Sequence, residues 1–214
     1  MERSRVGAAS QLSAAKGSIL NAGHAQFVLG YGSLAARPGP IPTRVLKEHG
    51  FVADLAGLRR VWGVAMDNRR DLPGYKYYID ADGRRPDVFV AYLDLVDAVE
   101  DPRAMVNGVC LPVDDATLEQ LDRRERNYDR TDVSDRVASS APDGVQVWAY
   151  IGTAAARERL AEGRRAGTAV IDAGYVRAVE AGFAALGADE LASVRASLDP
   201  GDLPVVELTR HELP

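Results

Sequence analysis

Phe27-Val28-Leu29-Gly30-Tyr31-Gly32-Ser33-Leu34 is a short apolar run that gives way at once to glycine, tyrosine and serine. The run reads as a buried strand, and Gly30 and Gly32 permit backbone angles that bulkier residues avoid, so successive N–H groups can converge on one point. Converging N–H groups make a concavity for an anion, a free carboxylate included, and the Ser33 hydroxyl adds a donor there. A plain strand-ending turn is the other reading of Gly-x-Gly. Further strand-like runs lie at Phe51 to Leu55, Arg60 to Met66, Lys76 to Ile79, Val88 to Leu95, Gly108 to Val113, Asp132 to Val137 and Val145 to Gly152. So many strands exclude a helical bundle. Helices dominate only after Thr153, which can cap Ala154 to Gly163, while Val176, Val179, Phe183 and Leu186 form an apolar stripe on a second helix. Strands first and helices after them place the fold in the α+β class with a C-terminal helical extension. In the tail, Leu203 to Leu208 reads as an edge strand.

One helix interrupts the strands, and it carries an acid where an apolar residue is expected. Asp114 or Asp115 can cap a helix over Ala116 to about Arg126, and at 100° per residue Leu118, Leu121 and Glu125 share one stripe. Glu119, Arg123, Arg124 and Arg126 fall off that seam. The pattern points Glu125 inward, where burial raises a carboxyl pKa and makes a proton shuttle usable near neutral pH. A buried structural ion pair with Arg124 or Arg130 is the competing reading.

Tyr31-Gly32-Ser33-Leu34 and Leu121-Asp122-Arg123-Arg124-Glu125, followed by Tyr128 and Arg130, resemble the γ-glutamylcyclotransferase superfamily. Gly57-Leu58-Arg59-Arg60-Val61-Trp62 is similar to its second signature strand, and Asp172 to Gly187 to its late helix, so the resemblance spans roughly Gln26 to Gly187. It implies a small mixed-strand β-barrel with flanking helices and a site at one mouth. It also implies that the Tyr31 to Leu34 loop binds a γ-glutamyl group and that Glu125 is the general acid/base. Release of 5-oxoproline from such a group needs no metal, no cofactor and no covalent intermediate. Tyr128 can hold Glu125 or the substrate, and Tyr150, which alternates with apolar residues, either contacts the ligand or packs in the sheet. Arg124-Glu125, Pro38-Gly39 and Pro73-Gly74 look most like the glutathione-degrading branch, which usually carries an aromatic where this chain has Ala35-Ala36-Arg37. Glutathione, γ-glutamyl amino acids and γ-glutamylamines are thus the candidate substrates. A hydrolase or transferase of another γ-glutamyl conjugate and a non-catalytic anion-binding module are the alternatives.

With 214 residues, 46% hydrophobic and 27% charged, the chain can bury one sizeable core. The expected organisation is a flexible arm over 1–25, a γ-glutamylcyclotransferase-like domain over 26–190 and a tail over 191–214. A net charge of −5 and a pI near 5.3 give no general attraction to nucleic acid or to a membrane. Arg59, Arg60, Arg69, Arg70, Lys76, Arg84 and Arg85 form a locally basic stretch that reads as solvated strand edges. Cys110 is the only cysteine and lies in a buried-looking strand, which fits a core residue, a reducing cytoplasm and no cysteine-based metal cluster. His24, His49 and His211 lack ligand spacing, so no metal is expected. The expected partner is a small γ-glutamyl substrate, and the oligomeric state is not set by the sequence.

Overall fold

Continuous apolar runs lay down β1 (Gln26–Gly30), β5 (Phe89–Asp97) and β6 (Met105–Val113), and alternation lays down β2 (Phe51–Ala56) and the first half of β3 (Leu58–Asp67), with β4 (Lys76–Ile79) between β3 and β5 in sequence. Helix α1 (Asp115–Arg124), β7 (Tyr128–Asp132), β8 (Gln146–Gly152), α2 (Ala154–Ala166), β9 (Ala169–Asp172), α3 (Ala173–Leu186), α4 (Ala188–Ala196), β10 (Val205–Val206) and β11 (Thr209–Glu212) complete the order. The structure, a computed structural model, describes residues 26–42, 44, 49–101, 103–138 and 144–213. The arm expected over 1–25 lies outside the described residues. No helix among them is long and apolar enough to cross a membrane.

The fold is mixed α+β, but among the described residues the strands do not close into the expected barrel. They form three sheets, ordered β2-β6-β1-β8-β7, β10-β9-β5-β3 and β11-β4. β1 sits at the middle of the first sheet, antiparallel to β6 with Leu29 opposite Cys110 and parallel to β8 with Phe27 opposite Val147. Both edges of β1 are therefore paired, and the burial of the successive residues Phe27, Val28 and Leu29 shows that both of its faces are covered as well. Cys110 is fully buried beside them, and burial pushes its thiol up to about 12, the behaviour of a core residue. The β3–β5 pair slips register between Trp62 and Val64. A side chain at the intervening Gly63 would stand 2.5 Å from Asp94 Cβ.

Helix α1 begins where expected, with the Asp114 carboxylate accepting from the Thr117 N–H at 2.8 Å and Leu118 and Leu121 fully buried. Thr153 caps α2 and Asp172 caps α3 in the same way. The strand expected over Asp132 to Val137 is displaced. Asp132 Oδ1 accepts from the Ser134 N–H at 2.9 Å, an Asx turn that ends the ladder, so the strand lies before it as β7. β9 and α4 escape the sequence reading, one because a run of buried residues this short lacks a period, the other because only Val194 of the helix is buried. Of the tail strand expected over Leu203 to Leu208 only Val205–Val206 forms, as β10 joined to β9, and β11, which lies beyond the expected range, crosses to β4.

Candidate active site

Strand β1 delivers the Tyr31 to Leu34 loop, and the end of α1 delivers Glu125 to the same place. Glu125 closes the helix: its N–H donates to Leu121 O at 2.8 Å, its backbone turns to φ −89° and ψ 50°, and its carbonyl accepts the Tyr128 N–H at 2.9 Å. That tight turn carries the chain from α1 into β7 and leaves the Glu125 side chain 17% exposed. A narrow recess of about 30 Å³ is lined by Tyr31, Gly32, Ser33, Leu34, Glu125, Tyr128 and Tyr150, together with Leu93 and Tyr175. Every residue expected at the site lines this one recess. Ser33, Glu125 and Tyr175 also line an adjoining cavity of about 420 Å³, whose walls include Arg37, Gly39, Gly74, Lys76, Tyr92, Arg124, Arg210 and Glu212.

The loop is a 3-10 turn in which Ala35 N–H donates to Gly32 O at 3.1 Å and Arg37 N–H to Ser33 O at 2.7 Å. Among the described residues no backbone acceptor takes the N–H groups of Gly32, Ser33 and Leu34. The Ser33 N–H and that of Leu93 favour the ionised form of the Tyr175 phenol, although burial holds its pKa above the usual range. The glycines do not act as expected. Neither Gly30 nor Gly32 has positive φ, and Gly32 sits at φ −140° and ψ −132°. Their contribution is space: a side chain at Gly32 would stand 3.0 Å from the Tyr175 hydroxyl, and one at Gly30 would stand 3.0 Å from Ala35 N.

The three expected tyrosines turn their hydroxyls to the protein. Tyr31 donates to Tyr150 O at 2.5 Å, Tyr128 to Leu93 O at 2.8 Å, and Tyr150 to Asp122 Oδ1 at 2.7 Å. Burial, then neighbouring negative charge, keeps the Tyr31 and Tyr128 phenols protonated well above neutral pH. They form a rigid wall and do not hold Glu125. Its partner is Arg124, with Nε 3.2 Å from Oε1, whereas Arg130 pairs with Asp122 at 3.6 Å. The inward acid and the ion pair, alternatives in the sequence, are both present.

Two residues of the basic stretch, Arg60 and Lys76, are not the solvated edges expected, whereas Arg69 stays exposed. Arg60 is only 6% exposed and donates from Nε to Tyr31 O at 2.7 Å, from Nη1 to Ser197 Oγ at 2.9 Å and from Nη2 to Asn107 O, with burial lowering its pKa to about 10. It anchors the loop from beneath. Lys76 enters the larger cavity, and Arg69 is bound to the buried Asp67 at 2.7 Å. Tyr175 is missed by the sequence reading, though it had a signal: it shares the α3 stripe with Val179 and Phe183 and is its only member with a polar tip. Ala35 and Ala36, which replace an aromatic, meet α3 at Gly182, where a side chain would come within 2.7 Å of Ala36 N. Among the described residues no three His, Cys, Asp or Glu side chains cluster as a metal site would require.

The sequence profile of the family described as "Gamma-glutamyl cyclotransferase, AIG2-like" matches residues 30–167. Among solved structures, a glutathione-specific γ-glutamyl cyclotransferase from yeast is 18% identical, with a TM-score of 0.41 over 61% of this chain and 69% of the yeast one. A protein named γ-glutamyl cyclotransferase is 14% identical, with a TM-score of 0.49 over 84% of this chain and 90% of its own. An uncharacterised protein from Homo sapiens is 15% identical, with a TM-score of 0.48 and the same coverages of 84% and 90%. No curated protein sequence matches the chain.

Proposed function

The chain belongs to the AIG2-like γ-glutamyl cyclotransferase family, and from that premise we propose that it cyclises a γ-glutamyl amide to 5-oxoproline with release of the amine, Glu125 acting as general acid/base. The observation that carries the reading is the recess itself, which Glu125 and the residues Gly32 to Leu34 line together. A recess of about 30 Å³ suits one small polar group, such as the α-carboxylate, and the adjoining cavity of about 420 Å³ leaves room for the amine portion.

The nucleophile is already in the substrate. Its α-amine attacks the γ-carbonyl carbon to close a five-membered ring, so the new C–N bond forms within the molecule and the bond to the leaving amine then breaks. Anchoring the α-carboxylate on the loop fixes the amine near the carbonyl, a proximity gain of several kcal/mol for a well-aligned intramolecular attack. The α-ammonium group has a pKa of roughly 8, so it arrives protonated at neutral pH. Glu125 takes one proton from the ammonium group before attack and passes it to the departing nitrogen, then takes the second proton the ring nitrogen must lose and hands it to the freed amine, leaving the enzyme unchanged.

The test is incubation with glutathione, γ-glutamylalanine and γ-glutamylmethylamide, with mass detection of both products. We expect 5-oxoproline and free amine in equal amounts from at least one of them. Glutamate in place of 5-oxoproline would make the protein a hydrolase, and binding without any product would make it a binding module. Faster turnover of glutathione than of γ-glutamylalanine would place it with the glutathione-degrading branch.

A further inference from the structure

Lys76 opens β4 as a cation in no ion pair among the described residues, although Glu212 stands opposite it across the β4–β11 pair and Glu125 shares its cavity. Its Nζ lies 4.1 Å from the centroid of the Tyr92 ring and 5.4 Å from that of Tyr75, and among the described residues no Asp or Glu is paired with it. Of the other charged residues lining the cavity, the exposed Arg37 likewise has no ion pair among the described residues, and the rest are matched. Arg124 holds Glu125 at 3.2 Å and donates to Arg37 O at 3.0 Å, and Arg210 holds Glu212 at 2.6 Å. The Asp172 carboxylate accepts two N–H groups of α3, at 3.0 and 2.9 Å. Aromatic faces orient an ammonium group without neutralising it. Burial lowers the Lys76 pKa to about 8, with Arg210 and Arg124 pushing the same way against Glu125 and Glu212.

Position gives this charge a role. Glu125 is shared by the recess and the cavity, so a substrate whose γ-carbonyl lies at Glu125 must extend its amine portion toward the walls that hold Lys76. We propose that the larger cavity is a leaving-group subsite selecting conjugates whose amine portion carries an anionic group, and that Lys76 receives that anion. The proposal rests on the cyclotransferase reading above. It makes Lys76 a specificity residue: an anion entering the cavity gains a partly buried charge-assisted contact, whereas a cationic amine meets an uncompensated like charge.

The experiment compares γ-glutamylglycine with γ-glutamylglycinamide, which differ in charge and hardly in size. We expect kcat/KM to favour the glycine conjugate by about 10- to 100-fold, the range for one charge-assisted contact. In Lys76→Met the ratio of the two should fall toward one, and in Lys76→Arg it should be largely restored; Lys76→Gln and a melting curve for each variant guard against misfolding. Equal kcat/KM values in the unmodified protein, or an unchanged ratio in both Lys76→Met and Lys76→Gln, would overturn the proposal. γ-Glutamyl(aminomethyl)phosphonate separates the sources of the anion: its turnover above or below that of the glycine conjugate, with both exceeding the glycinamide, supports the anionic class and identifies which oxyanion fits. If no conjugate yields 5-oxoproline, the cyclotransferase reading has failed. Calorimetric titration of the same glycine and glycinamide conjugates into the unreacting protein then still reads the charge preference of the cavity, and equal affinities would remove it.

Discussion

Glu125→Gln separates chemistry from architecture. The change keeps the shape of the side chain and lets its amide oxygen accept from Arg124 Nε, now 3.2 Å from Oε1, while removing the group that moves the proton. Turnover to 5-oxoproline should fall by roughly two to four orders of magnitude, the usual contribution of general acid/base catalysis. Stability should barely change. The Arg124 and Glu125 side chains are 26% and 17% exposed, and Arg124 keeps its hydrogen bond to Arg37 O at 3.0 Å, so the lost charge is partly screened and its partner is not stranded. A pair of this exposure contributes about 1 kcal/mol or less, or a few degrees in Tm for a domain of this size. The assay is 5-oxoproline formation per folded molecule, followed by mass detection, beside a thermal melt. A double-mutant cycle with Arg124→Met adds a check, because a merely structural pair would lose the same stability from either side. A Glu125→Gln protein that melts far lower yet keeps activity within about threefold would make Glu125 structural and refute the reasoning.

Two further outcomes test the frame around the site. Gly152→Ala should cost about 3–5 kcal/mol and lower Tm by roughly 10 °C, since the added methyl overlaps Val64 Cγ1 and comes 2.5 Å from Asp94 Oδ2, a fully buried carboxylate that accepts from Gly152 N, Leu95 N and Arg157 Nε; a melt within 2 °C of the parent, by the same scale, would mean the strand yields without disturbing Asp94. Hydrogen bonds from the Arg69 side chain hold the Asp67 carboxyl below the ordinary carboxylate range. Its folded pKa is thus lower than its unfolded one, so its contribution is complete above the unfolded value of about 3.9 and is lost as pH falls through the lowered value. Asp67→Asn should therefore flatten the acid limb of a Tm-against-pH curve, and an unchanged slope would contradict the assignment.

What the sequence hides follows from how each residue is held. β1 and the cap of α1 are legible because Phe27 to Leu29 and Asp114 with Leu118 and Leu121 satisfy local rules that need no partner. β7 is not legible, because four of its residues are exposed and its register comes only from pairing with β8. The far wall of the cavity is set by β11 crossing to β4, with Thr209 opposite Ile79 and Leu213 N–H donating to Tyr75 O at 2.7 Å. No local pattern announces that pairing, so Lys76 reads as one more surface cation. Arg60 is different, since strand phase alone contains its answer. On β3 the buried positions Leu58, Arg60, Trp62 and Val64 alternate with the exposed Arg59, so two adjacent arginines have opposite fates. A guanidinium placed on the core face must find acceptors, because an unpaired buried charge is too costly to keep. Among the acceptors it finds, with Ser197 and Asn107, is Tyr31 O, at the first residue of the candidate substrate loop. The basic residue that charge counting assigns to solvent is, by the period of its own strand, the one that fixes the loop in front of Glu125.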